Sequence, residues 1–164
     1  CILMYVCALC VCVCTRRIFQ RTVGREAEYP VVWPDGNAAD VRLLLAELQN
    51  FDDGFQYTHE ELPSFFQGPQ KCLTGIRSKD SKLEIILEVG WGTVEVVTGP
   101  FDDLMQVKHA HEHAMTLLTQ AADKLGMKVL STGVQPRTPP GLELMTPRER
   151  YLTMRKVLGP NVWD

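Results

Sequence analysis

Acidic residues carry most of the chemistry legible in this 164-residue sequence. Glu26 and Glu28 lie two apart in GREAEY, and Glu88 and Glu95 flank the glycines of LEVGWGTVEVVTGP. On an extended chain, residues two apart share a face, with Cα atoms about 7 Å from each other. Carboxylates so placed can share one divalent cation or flank two, because hard cations take oxygen ligands. The same pattern is also the ordinary polar face of a solvated strand, and spacing alone admits both readings.

Other residue types offer less. His109 and His113 in HAHEH are four apart and could meet a metal from one helical face, but both fall opposite the apolar stripe and lack the HExxH arrangement. His111 lies near that stripe, as a satisfied, partly buried histidine would. Cys1, Cys7, Cys10, Cys12 and Cys14 are five of the six cysteines, crowded into an uncharged start with no second Cys/His cluster to complete a zinc site. Arg148, Arg150 and Arg155 give the last helical segment guanidinium groups suited to bidentate carboxylate or phosphate contacts, or to an ordinary charged helix face.

The elements that must position these residues follow from patterning. Residues 1–21 read as a hydrophobic, Cys-rich leader or extension, whose uncharged run of 14 residues is too short for a span of about 20 apolar residues. From Thr22 a folded domain begins, with TVGREAEYPVVW as a strand closed by the Pro34–Asp35–Gly36 turn. Asn37 is expected to cap a helix burying Val41, Leu44, Leu45 and Leu48. Phe51 to Gln70 reads as loop with a short helix near Glu60, and Leu73 to Arg77 as a brief strand. Leu83, Ile85 and Leu87 alternate with polar neighbours, and TVEVVT is rich in β-branched residues, so Lys82 to Pro100 predicts a hairpin. Gly90 and Gly92 at its turn would allow positive φ and close approach. Asp102 or Asp103 caps a long helix ending before Gly126, with Leu104, Val107, Ala114, Leu118, Ala121 and Leu125 as its stripe. MKVLS is a further strand. Thr146 to Glu149 reads as a capping box with proline at the first helical position. Composition, at 45% apolar and 23% charged with net charge −3, is that of a soluble globular domain without a broad basic footprint for nucleic acid. The fold class is α+β, a mixed but mostly antiparallel sheet with helices packed on one side.

In this order GREAEY, LEVGWGTVEVVTGP, TGVQP and MTPRERYLTM resemble the glutamate-cysteine ligase family, in its plant and proteobacterial branch. The resemblance runs from about Thr22 to the end and implies that residues 22–164 are the N-terminal part of a glutamine-synthetase-like catalytic domain. It further implies an ATP-dependent ligase that phosphorylates the γ-carboxylate of L-glutamate and lets the amine of L-cysteine displace phosphate, the first step of glutathione synthesis. Such chemistry needs no protein nucleophile; it needs Mg2+ to bridge phosphates.

On this resemblance Glu26, Glu28 and Glu95 are metal ligands, and Glu88 serves metal or the substrate amine. Gln135 would hydrogen-bond the amino-acid substrate, and Arg150 would pair with its carboxylate or with phosphate. The hairpin is one residue longer than the family pattern. The partners are L-glutamate, L-cysteine and ATP, with no nucleic acid and no membrane for the folded domain, in a plastid or the cytoplasm. Three other readings stay open: a ligase for a different amine, a non-catalytic relative or inactive truncated product that binds glutamate, nucleotide or a partner subunit, and a helix-borne metalloprotein using His109 and His113.

Overall fold

The computed structural model describes residues 21–51, 54–62, 70–138 and 144–159. The leader with its cysteines, and part of the loop after Thr138, lie outside the described residues. Strand β1 (Val23–Val32) is followed by helix α1 (Val41–Leu48), a short 3-10 turn (Gln49–Phe51), and strands β2 (Gln56–Leu62), β3 (Gln70–Arg77), β4 (Leu83–Leu87) and β5 (Thr93–Phe101). Helix α2 (Leu104–Leu125), strand β6 (Lys128–Val129) and helix α3 (Glu149–Leu158) complete the order. The sheet runs β2-β3-β4-β5-β1-β6, and each of its pairings is antiparallel. This is the expected α+β class without a parallel component among the described strands.

Alternation builds two unlike faces. Leu83, Ile85 and Leu87 of β4 and Val94 and Val96 of β5 are buried, together with Tyr29, Val31 and Ile76. Helices α1 and α2 cover this face, contributing Val41, Leu44, Leu45 and Leu48 from one and Ala114, Leu117, Leu118 and Ala121 from the other. Their neighbours on the same strands, Glu84, Ile86, Glu95 and Glu28, point the opposite way, because successive strand side chains alternate. Helix α3 is the exception to packing on one side: its first residues stand over this second face.

Several local expectations change. Asp40 caps α1, its carboxylate accepting from the Arg42 amide at 2.9 Å, while Asn37 is held in the preceding turn by Asp35. Glu60 lies on β2, not on a short helix. Leu104 is 70% exposed and outside the buried stripe, which begins at Val107 and includes His111 and Leu117. Asp103 caps α2 and Gly126 ends it in the left-handed region. No capping box forms at α3: Arg148 occupies the cap position without a side-chain bond to the helix's first amides, and the Thr146 hydroxyl donates to the Glu88 carbonyl at 2.6 Å. Gly90 and Gly92 both keep negative φ. The close approach expected at Gly92 is present, since a Cβ there would meet Gln135 Nε2 at 2.7 Å and the Ala38 Cβ at 2.8 Å. Among the described residues no helix is long and apolar enough to cross a membrane.

Two measurements test this packing. Leu118→Ala should cost about 2–5 kcal/mol of stability in denaturant titration, whereas Leu104→Ala should change it by about 0.5 kcal/mol or less. His111 bonds the Tyr29 hydroxyl at 2.6 Å, and burial, then the charge of Arg25, holds its imidazole below the usual histidine value against the opposing pull of Glu112. The unfolded chain therefore takes up this proton more readily, so stability should fall as pH drops below about 6.5 and level off once the folded imidazole is also protonated. A His111→Gln variant should lose that part of the slope.

Candidate functional site

Register decides which acids meet. Glu28 lies directly opposite Glu95 in the β1–β5 pairing, and Ile86 lies opposite Glu95 on the other side. Gly75 of β3 and then Thr58 of β2 continue this row across the sheet. Glu26 sits one step along β1 on the same face, opposite Val97. Glu88 follows Ile86 by two residues, its backbone amide donating to the Thr93 carbonyl at 3.4 Å, and so reaches the same face beside Glu95. Glu26, Glu28, Glu88 and Glu95 are thus brought together on the face that the core leaves free.

Their mutual repulsion is visible in Glu95, whose pKa is pushed up to about 7. Burial is the largest cause, followed by a hydrogen bond with Glu88 and the negative charges of Glu88, Glu26 and Glu28. Carboxylates directly opposite across a strand pair destabilise a sheet unless something positive lies between them. The donor set is all oxygen, which suits a hard divalent cation. Among the described residues no three His, Cys, Asp or Glu side chains already surround a single point at ligand distance. The acids form an array that shares a face, not a closed cage.

Glu88 joins the array to α3. Its carboxylate accepts from the Val89 amide at 2.9 Å and from the Tyr151 hydroxyl at 3.3 Å, and it lies 3.8 Å from Arg150. The Arg150 guanidinium also donates to the Tyr151 hydroxyl and lies over the Tyr151 ring, yet its side chain remains 60% exposed. Beside it Arg148 is nearly enclosed. Its guanidinium grips both oxygens of Glu60, at 2.7 and 3.0 Å, and donates to the Leu87 carbonyl at 2.9 Å. Burial works against its charge, but hydrogen bonds to Glu60 and Tyr151 outweigh that and raise its pKa.

A cleft of about 630 Å³ opens between α3 and the second face of β2–β4. Thr74, Glu84 and Ile86 form part of its floor, with Glu60 at the side and Pro147, Arg148 and Arg150 as the α3 wall. That volume is within the range of small-molecule sites. Gln135 lies elsewhere, against the hairpin turn: its amide donates to the Gly92 carbonyl at 2.5 Å, and it lines a separate cavity of about 320 Å³ with Ala38, Thr93 and Thr138. Among the described residues its Oε1 is buried without a hydrogen-bond partner. Thr93, the residue two before Glu95, lines this second cavity and not the cleft.

Sequence reasoning grouped the acids and Arg150 and offered Arg148 as a guanidinium suited to a bidentate carboxylate contact, which it makes with Glu60, but it gave Glu60 and Tyr151 no role. Arg148 and Tyr151 stood in the quoted RERY, where their three-residue separation marks one turn of helix. His109 and His113 are exposed on α2, on the helix that covers the core face and away from the acids.

Glu95 gives a direct test of the electrostatics. The folded chain holds its proton more tightly than the unfolded one, so stability should fall as pH rises from about 4.5 and the loss should be complete above about 7. Glu95→Gln is therefore expected to raise the melting temperature at pH 8 and leave it unchanged at pH 4.5. Equal melting temperatures at pH 8 would show that the acids do not strain the sheet.

No curated protein and no solved structure matches the chain. The family model of glutamate-cysteine ligase family 2 (GCS2) matches residues 22–162, which takes in every strand and helix described above. The chain therefore belongs to glutamate-cysteine ligase family 2, a family of carboxylate–amine ligases.

Proposed function

We propose that this chain carries the acid-activating half of an ATP-dependent ligase that joins the γ-carboxylate of L-glutamate to the amine of L-cysteine through a γ-glutamyl phosphate. The observation that carries the proposal is the direct pairing of Glu28 with Glu95, flanked by Glu26 and Glu88, on the sheet face opposite the core helices α1 and α2. Phosphoryl transfer is catalysed chiefly by positioning and charge neutralisation, so a site for it calls for hard ligands and fixed cations and no nucleophilic side chain.

Glu26, Glu28, Glu95 and Glu88 would hold Mg2+, which when bound neutralises charge on the phosphates. Arg150, exposed at the cleft mouth, is free to turn its fork toward a substrate carboxylate or phosphate, and its weak pairing with Glu88 is readily exchanged. Gln135 would offer its unpartnered carbonyl oxygen to an amino-acid N–H on the turn side. Glu88 lies between these regions, within reach of metal or of the substrate ammonium.

The reading is tested by phosphate release from ATP with Mg2+ and L-glutamate, with L-cysteine or other amines added or withheld. Release should require both amino acids and should collapse in a Glu26→Gln, Glu28→Gln double variant. Arg150→Lys should lower turnover or glutamate affinity, because lysine cannot reproduce a bidentate contact. Release supported equally by an amine other than cysteine would change the acceptor, and absence of release under every condition would replace the ligase with a non-catalytic binder.

A further inference from the structure

We infer that Arg148 is a positioning residue, acting through Tyr151 to set the orientation of the Glu88 carboxylate on the acid face. A phenol has one hydrogen to donate and otherwise accepts. Two guanidinium groups compete to donate to the Tyr151 oxygen: Arg150, and Arg148 at 3.5 Å. With its acceptor side occupied, the hydroxyl hydrogen is left for the acceptor in reach, Glu88 Oε2 at 3.3 Å. The direction of the chain Arg148 to Tyr151 to Glu88 is thereby fixed by donor counting.

The other contacts of Arg148 explain why it can act as an anchor. Its side chain is 13% exposed, and Glu60 and the Leu87 carbonyl take three of its other four donors. Leu87 is the residue before Glu88, and the Thr146 hydroxyl holds the Glu88 carbonyl from the same segment. Arg148 thus ties together β2, the end of β4 and the first turn of α3, and Tyr151, 3% exposed, carries that rigidity to the acid. Arg150 also donates to the Tyr151 hydroxyl, but it is 60% exposed and its nearest approach to Glu88 is 3.8 Å, so it lacks the enclosed anchorage that Arg148 has.

The inference rests on the ligase reading only for the use made of Glu88, and its test separates the two. The full chain is labelled with 3-fluorotyrosine, and Tyr151→Phe identifies the Tyr151 fluorine resonance among those of the four tyrosines. Glu88→Gln should move that resonance, and the movement should largely vanish in an Arg148→Ala background, because coupled residues give non-additive cycles. In the ligase assay Arg148→Ala should lower kcat by about 10–100-fold, with little change in KM for the acid substrate, as loss of an outer partner does. Arg148→Lys should behave like Arg148→Ala, since it restores charge without the fork.

If Arg148→Ala does not fold, the same cycle is run in Glu60→Gln, Arg148→Met, which removes both charges and keeps volume. Equal movement of the resonance with and without Arg148 overturns the inference, whatever happens to activity. A wild-type chain inactive with every amine sinks the ligase reading and leaves the resonance cycle to decide Arg148.

Discussion

The register of β1 against β5 is the constraint on which the rest of this structure depends. A slip of one residue would turn Glu26 and Glu28 into the space filled by Leu118 and its neighbours, and would bring Ala27 and Tyr29 to the open face. The apolar face prevents this. Val94, Val96 and Tyr29 are locked under α1 and α2, and Tyr29 is further fixed by its bond to His111. The position of the acids is therefore set from the far side of the sheet by residues that never approach a substrate.

A second fixed point lies at α3. On its own this helix is weakly specified, with Tyr151 as its one buried residue. It is held by polar contacts: the Arg148–Glu60 fork, the Thr146 hydroxyl on the Glu88 carbonyl, the Tyr151 hydroxyl on Glu88, and the Thr146 amide on the Val89 carbonyl at 2.6 Å. Polar contacts of this kind are directional, so they place the helix start with an accuracy that apolar packing alone would not give. The cleft exists because α3 stands off the sheet on these contacts and does not lie flat on it.

Much of this was legible in sequence where side-chain periodicity and local chemistry agree. The alternation of Leu83, Ile85 and Leu87, the Asp103 and Gly126 ends of α2, and the shared face of Glu26 and Glu28 are all local patterns that the fold preserves. Features governed by partners distant in sequence were not legible. QYTHEEL lacks a buried face except at Leu62, so nothing marks it as strand until β3 pairs with it, and Glu60 gains meaning when Arg148 arrives from 88 residues away. Thr146 has the right type and spacing for a capping box, but the helix starts later, with Arg148 at the cap position, and the Thr146 hydroxyl donates to the Glu88 carbonyl. Leu104 fits the helical stripe by spacing, yet it is exposed and the buried stripe begins at Val107. The pairing of Glu28 with Glu95 depended on strand order, which spacing does not supply.

Stability and chemistry draw on opposite faces of the same strands, and magnitudes show why both can be served. Burying a valine or leucine side chain contributes roughly 1.5–3 kcal/mol, while a cross-strand pair on an open face is worth only about 0.2–1 kcal/mol in either direction. Val94 and Val96 flank Glu95 along β5, so the burial they supply exceeds the repulsion between Glu95 and Glu28 several-fold. The acid face therefore does not have to be stable in itself. It can be left charged to a degree that the isolated pairing disfavours, and any cation or ammonium group arriving there relieves repulsion that the core already sustains. Relief of that kind favours binding without requiring a preformed cage, which accounts for acids that share a face yet do not surround one point.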